Sequence, residues 1–266
     1  MPLVFAALTP HPLILIPEIG KEKIKKVQKT VAALNLLSKK LDESEAETLI
    51  IISPHNLVYP DRFNICGMEK LVGDLSASGA PKVKLQFNNN LEIVNKIDEL
   101  CFKNQIPALV YDNGTEFFQL DHGSLIPLYY LVKKLSTNIK VIPMAYSGLP
   151  VASHFSFGQV LAEIAAKDNE RIAIVASGDL SHHLGQSPQK TGEKFDQKIL
   201  ELIKEKNTKD FLYFDEELIE EAGECAFRSL VILLGTLDKI KYQPEILSYE
   251  GPFGIGYAVI EFKLKI

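Results

Sequence analysis

Five residues of this chain have types that could hold a metal ion or move protons: His11, His55, His122, His182 and Glu224. Two histidines and a carboxylate that leave other coordination positions open make a facial triad, which suits non-haem Fe(II) and oxygen chemistry. The same ligand set fits catalytic zinc with an activated water. The five lie far apart in the chain with no short-range metal spacing, so spacing does not choose between the two. Two of them share a local device. Thr9-Pro10-His11-Pro12 and Ser53-Pro54-His55-Asn56 each follow an apolar run. Proline stops strand and helix alike, so each histidine is held in a short turn at a strand end. Two histidines presented alike point to one shared site, whereas either alone would read as a loop histidine.

The elements that must position these residues are legible as alternating strands and helices. Arg171–Ala176, apolar almost throughout, suits a strand buried on both faces of a parallel sheet. It breaks at Ser177-Gly178-Asp179 and delivers Ser181, His182 and His183 into a loop, where ligands bind in open α/β sheets. The bland reading is that Asp179 and Ser181 only cap a turn and the histidines are solvated. Leu3–Leu8, Thr48–Ser53 and Ile139–Ala145 read as further strands. Phe63–Cys66 and Val83–Phe87 look like short strands of a peripheral hairpin, with a loop-like Gly73–Gly79 between them, and Ala108–Tyr111 is another short strand. Helical spacing runs over Gly20–Lys40, Leu91–Phe102, Leu125–Leu135, Phe155–Ala166, Thr191–Lys206 and Gly223–Leu237. Asp121 or Ser124 caps the third of these, so His122 lies beside the positive end of its dipole, which favours an uncharged ring able to act as base or ligand. His154 has no paired motif and reads as a surface or capping residue. Thr191–Lys206 is charged, either lid-like or packed over a sheet edge. The acidic run Asp215–Glu224 reads as a solvated face, in which Glu224 is either a dipole-satisfying cap or a ligand. Gly251–Gly256 is a tight connection into a final edge strand, Tyr257–Leu264. Its glycines match neither a Walker A loop nor a dinucleotide fingerprint.

The 266 residues are 46% hydrophobic and 24% charged, enough for a sizeable core. A net charge of −5 argues against nucleic acid or anionic membranes as partners. Cys66, Cys101 and Cys225 are isolated, which suits a reduced, cytoplasmic setting. The apolar N-terminus has no basic region and is interrupted by Pro10 and Pro12, unlike a signal peptide. No stretch is long and apolar enough to span a bilayer.

Taken in order, TPHP (9–12), SPHN (53–56), LDHG (120–123), SGDLSHH (177–183) and AGEC (222–225) resemble the class III extradiol dioxygenases, the LigB-type superfamily of aromatic ring-cleaving enzymes. The resemblance covers essentially the whole chain. It implies a single α/β domain over residues 1–266, a mixed and mostly parallel sheet with helices on both faces, and a homodimer. It implies one Fe(II), with zinc as the alternative, on His11, His55 and a late-helix carboxylate matched best by Glu224. Glu220 and Glu221 are close by. It maps His182 onto the catalytic base and His122 onto an acid/base or oxygen-positioning histidine, and gives His183 no counterpart. The implied reaction is ring opening of a catecholic or aminophenolic substrate by dioxygen. Phe117, Phe118, Tyr129 and Phe253 could wall that substrate or belong to the core.

The AGEC motif and the terminal YEGPFGIGYA segment look closer to a branch related to Memo-type proteins, which occurs with AMMECR1-like and radical-SAM partners. Cys225 could itself be a soft ligand, favouring zinc or copper over iron. Two further readings follow: a Memo-like metal-binding or interaction protein without dioxygenase activity, and a zinc-dependent hydrolase on the same scaffold. The presence of both His122 and His182 favours an enzyme, because a binding module needs no acid/base pair. A liganding Cys225 favours the Memo-like protein.

Overall fold

Four apolar runs lie side by side and parallel at the centre of the computed structural model, which describes residues 3–265 except Lys134, Thr137 and Ser187. In chain order the elements are β1 (Leu3–Thr9), α1 (Pro17–Gly20), α2 (Gln28–Glu43), β2 (Thr48–Ser53), β3 (Phe63–Cys66), β4 (Lys70–Leu75), β5 (Ala80–Asn88), α3 (Leu91–Lys103), β6 (Ala108–Tyr111), β7 (Phe117–Gln119), α4 (His122–Leu131), β8 (Lys140–Ala145), α5 (Val151–Lys167), β9 (Ile172–Ser177), α6 (Thr191–Glu205), α7 (Thr208–Phe211), α8 (Glu216–Ala222), α9 (Phe227–Thr236), β10 (Tyr242–Glu250) and β11 (Tyr257–Leu264). The main sheet has eight strands in the order β10-β11-β1-β9-β2-β8-β3-β6, with β1, β9, β2 and β8 parallel. A three-stranded sheet, β5-β4-β7, flanks it.

Residue alternation divides the core into two layers. Ile50, Ile52, Ile174 and Ala176 face one layer, shared with α3, α5, α6 and α9. Leu49, Ile51, Ala173 and Val175 face the other, shared with α2, α4 and the small sheet. Every residue of β2 and β9 is buried, as expected for strands covered on both faces. This is the single α/β domain with helices on both faces that the resemblance to the LigB-type family implies.

Several local expectations are corrected. The helix read over Gly20–Lys40 is a 3-10 segment, Lys21–Val27, followed by α2. α4 begins at His122, capped by Asp121, and ends at Leu131; Lys134, within the predicted range, lies outside the described residues. β4 occupies part of the predicted Gly73–Gly79 loop. The helix read from Gly223 starts only at Phe227, because Gly223 is left-handed and ends α8. Tyr257–Leu264 is not an edge strand: β10 covers it. β10 escapes a pattern search because Pro244, Glu245 and Glu250 make it look like a loop, and an edge strand tolerates them.

His154 is the clearest correction. It is fully buried, not a surface residue. Its Nδ1 donates to Pro150 O at 3.1 Å and its Nε2 accepts Ser147 N–H at 3.3 Å, which holds the turn after β8. Arg228 donates to Leu149 O at 2.6 Å in the same turn. Burial pushes the His154 pKa down to about 4, so the folded protein holds it neutral. The unfolded chain protonates it below its ordinary value, and stability is lost as pH falls from about 6.5 to about 4. Urea unfolding across that range is expected to fall more steeply for the wild type than for His154→Gln, by up to about 3 kcal/mol.

Candidate metal centre

The parallel strands β1, β9 and β2 end together, and each carries a hydroxyl on the face toward α4: Thr9, Ser177 and Ser53. Ser177 Oγ donates to Gly123 O at 2.5 Å, and Ser53 Oγ donates to Asp121 Oδ1 at 2.5 Å. The N-terminus of α4 is thereby pinned over the strand ends. β9 lies between the two histidine-bearing strands, so β1 and β2 are separated by about 10 Å of sheet. Their proline turns bend both side chains inward over the end of β9. The rings of His11 and His55 stand 4.8 Å apart, edge to face, with the Nε2 atoms 3.0 Å apart.

The hydrogen bonds define the state of His11. Ser177 spends its one proton on Gly123 O, so at 2.8 Å its oxygen must accept from His11 Nδ1–H. His11 Nε2 therefore presents a lone pair to His55 Nε2. Burial holds the His11 pKa well below the ordinary histidine value, and the neighbouring charges of His55, His122 and His182 add to this. Burial also lowers His55 and His182.

The third converging atom is a sulfur. Cys225 Sγ lies 3.5 Å from His11 Nε2 and 3.8 Å from His182 Nε2. Gly178 makes this approach possible: a Cβ there would fall 2.2 Å from Ala226 Cα, so only glycine lets the segment before α9 rest on the end of β9. Asp179 then ties the pieces together. Its carboxylate accepts His11 N–H at 3.0 Å, its N–H donates to Cys225 Sγ at 3.2 Å, and its carbonyl accepts Cys225 N–H at 3.1 Å. Burial raises the Cys225 thiol, and the Asp179 charge raises it further. Burial pushes Asp179 itself up to about 7.

His11, His55 and Cys225 offer three donor atoms within 4.8 Å of one another. Metal–nitrogen bonds of about 2.0 Å and metal–sulfur bonds of about 2.3 Å place donors on one ion about 3–3.5 Å apart, so the set fits a single transition-metal ion. Glu224 is not in this set. Its carboxylate accepts Phe227 N–H at 2.5 Å and so caps α9. Spare N–H groups at a helix start attract a nearby carboxylate. The donor set is completed instead by its neighbour, Cys225. Glu220 and Glu221 lie on α8 and do not enter the set either.

Both expected proton-handling histidines border the trio. His122, exposed, stacks on His55 at 4.3 Å and lies 5.4 Å from His11. His182, partly exposed, faces Cys225. His183 turns away, with Nδ1 donating to Glu221 O at 2.6 Å. Of the aromatic residues, Phe118 is core, Tyr129 and Phe253 pack on the same layer, and Phe117 is exposed under Lys70. Sequence reasoning gave Asp179 only the bland role of a turn cap. Its carboxylate instead reaches across to His11 N–H, and its backbone holds Cys225. A carboxylate directly after a fully buried strand was the available signal.

Residues 5–260 match the family of the catalytic LigB subunit of aromatic ring-opening dioxygenases, and the chain belongs to that family. It is 34% identical over 268 residues to protein CA_C1420 of Clostridium acetobutylicum, covering 96% of this chain and 56% of that protein. The chain thus spans little more than half the length of this relative. The fold is similar to that of the uncharacterized protein JW3007 from Escherichia coli K12, with a TM-score of 0.68 at 16% identity, over 97% of this chain and 99% of that one.

The ligand assignment separates two adjacent residues. Cys225→Ser is expected to weaken zinc binding by more than the roughly 10–100-fold that loss of an outer partner costs. Glu224→Ala is expected to leave zinc affinity near wild type and to cost about 1 kcal/mol of stability through the lost cap. Equilibrium zinc titration and urea unfolding of the two variants check both statements.

Proposed function

We propose that this chain is a metal-dependent oxidoreductase of the aromatic ring-opening class, acting with dioxygen on a catecholic or aminophenolic substrate. The observation that carries this reading is the placement of His122 and His182 on two sides of the His11, His55 and Cys225 donors. A redox-active ion on those three residues would acidify the substrate hydroxyls and bind dioxygen beside them. The protein's own part is to move protons and hold geometry. His182 is kept neutral near pH 7, first by burial and then by the charge of His183, and can take a proton from a substrate hydroxyl. His122, at the opening of α4, is exposed and placed to donate a hydrogen bond to an oxygen in the same space. Asp179 keeps His11 and Cys225 in register while this happens.

A second reading rests on the sulfur. A thiolate in place of the family's expected carboxylate favours zinc or copper, and with it a metal-binding protein of the Memo-like kind that does not open rings. The two readings differ in one experiment. Protein reconstituted anaerobically with Fe(II), with copper or with zinc is offered a panel of catechols and aminophenols, and dioxygen uptake is followed. The proposed activity predicts uptake with a redox-active metal, none with zinc, a new yellow chromophore, and a loss of roughly 10²–10⁴-fold in His182→Ala. Stoichiometric metal without uptake on any substrate of the panel would instead support the metal-binding reading.

A further inference from the structure

Helix α6 carries a buried carboxylate that the proposed chemistry does not touch. Asp196 is 1% exposed. Its Oδ1 accepts Ser181 N–H at 2.7 Å, and its Oδ2 accepts the Tyr249 hydroxyl at 2.7 Å. Gly256 leaves the room this needs, because a Cβ there would fall 2.0 Å from Asp196 Oδ2. Burial pushes Asp196 up to about 7 although both bonds oppose the shift. A carboxyl group is thus held out of water at a cost, and the gain must lie in what it holds.

What it holds is the turn that carries His182. Ser181 is fully buried, and each of its polar atoms is engaged by a different part of the fold. Its N–H goes to Asp196. Its carbonyl accepts Gly256 N–H at 2.8 Å. Its hydroxyl donates to Ala222 O at 3.1 Å and accepts His183 N–H at 3.0 Å. The next N–H, that of His182, donates to Ala222 O at 2.9 Å. The His182 ring is the first group beyond this clamp, and its Nε2 lies 3.8 Å from Cys225 Sγ.

We propose that Asp196 is the positioning residue of His182: through Ser181 N–H it sets the orientation of the imidazole at the metal trio, and the Tyr249 hydroxyl holds the carboxylate in place. The inference rests on the reading of His182 as the proton-transfer group. Asp196 touches neither the donor atoms nor the space between them, so its loss acts on His182 and leaves the ligands in place.

The test compares Asp196→Ala, Asp196→Asn and Tyr249→Phe with wild type. Histidine-ring NMR is recorded on the zinc-loaded proteins, with the His182 signals assigned through His182→Gln. Zinc affinity is measured on all, and kcat and KM on the iron-loaded forms. In Asp196→Ala the His182 ring signals are expected to move while those of His154 stay. Zinc affinity changes by less than about 10-fold, the least that losing a ligand's own partner costs. Turnover falls roughly 10–100-fold at unchanged KM, the cost of a misplaced catalytic group. Asp196→Asn, which keeps an oxygen acceptor for Ser181 N–H, restores most of the ring signals and of kcat. Tyr249→Phe gives a smaller change in the same direction. The inference is overturned if His182 signals do not move in Asp196→Ala, if all histidine signals move together, or if Asn is no better than Ala. Should Asp196→Ala not fold, unmoved His182 signals in Tyr249→Phe overturn it. A wild type that takes up no dioxygen would defeat the proposed activity, and the ring signals would still decide the role of Asp196.

Discussion

The site depends on one constraint, that β9 lies between β1 and β2 and ends where it does. Neighbouring histidine strands would present His11 and His55 directly side by side. With β9 between them, the two rings must reach inward over its terminus, and whatever caps that terminus becomes the floor of the site. The cap is Ser177-Gly178-Asp179. Ser177 orients His11, Gly178 lets the backbone of Ala226 lie against the strand end, and Asp179 binds both His11 and Cys225. Three consecutive residues therefore bring a donor from the first tenth of the chain, His11, against one near residue 225.

The electrostatics of this cluster point to a cation. His11, His55 and His182 are all pushed toward the neutral form, first by burial and then by neighbouring histidines, and the thiol of Cys225 is pushed away from thiolate. In the bare protein these groups are uncharged donors with lone pairs crowded to 3.0–3.8 Å. A bound cation reinforces the neutral state of the imidazoles and reverses the preference of the thiol, since ligands bind metal in the deprotonated form. A buried carboxylate, Asp179, beside the trio adds negative charge that a cation would satisfy.

Much of this was legible in the residues. The buried strands, the two proline-histidine turns, and the roles of β9 and its loop follow from apolar runs broken by turn formers. The family follows from the order of five short motifs. Glu224, expected as the third ligand, lies outside the donor cluster, for a physical reason: a glutamate and a cysteine stand together before an apolar helix, and either could serve. Only the three-dimensional placement reveals that the helix N-terminus claims the Glu224 carboxylate and leaves Cys225 to face the histidines. His154 was misjudged because nothing local distinguishes a buried helix histidine from an exposed one. β10 was missed because an edge strand need not be apolar. Asp196 and Tyr249 meet only through the packing of α6 against the last hairpin, which no local pattern encodes.

The central claim is that one metal ion is held by two imidazoles and the sulfur of Cys225. X-ray absorption on protein loaded with one equivalent of zinc tests it most directly. The expected spectrum shows one sulfur at about 2.3 Å with nitrogen neighbours at about 2.0–2.1 Å, and the sulfur shell disappears in Cys225→Ser. A wild-type spectrum with only nitrogen and oxygen neighbours, or a sulfur shell that survives in Cys225→Ser, would contradict it.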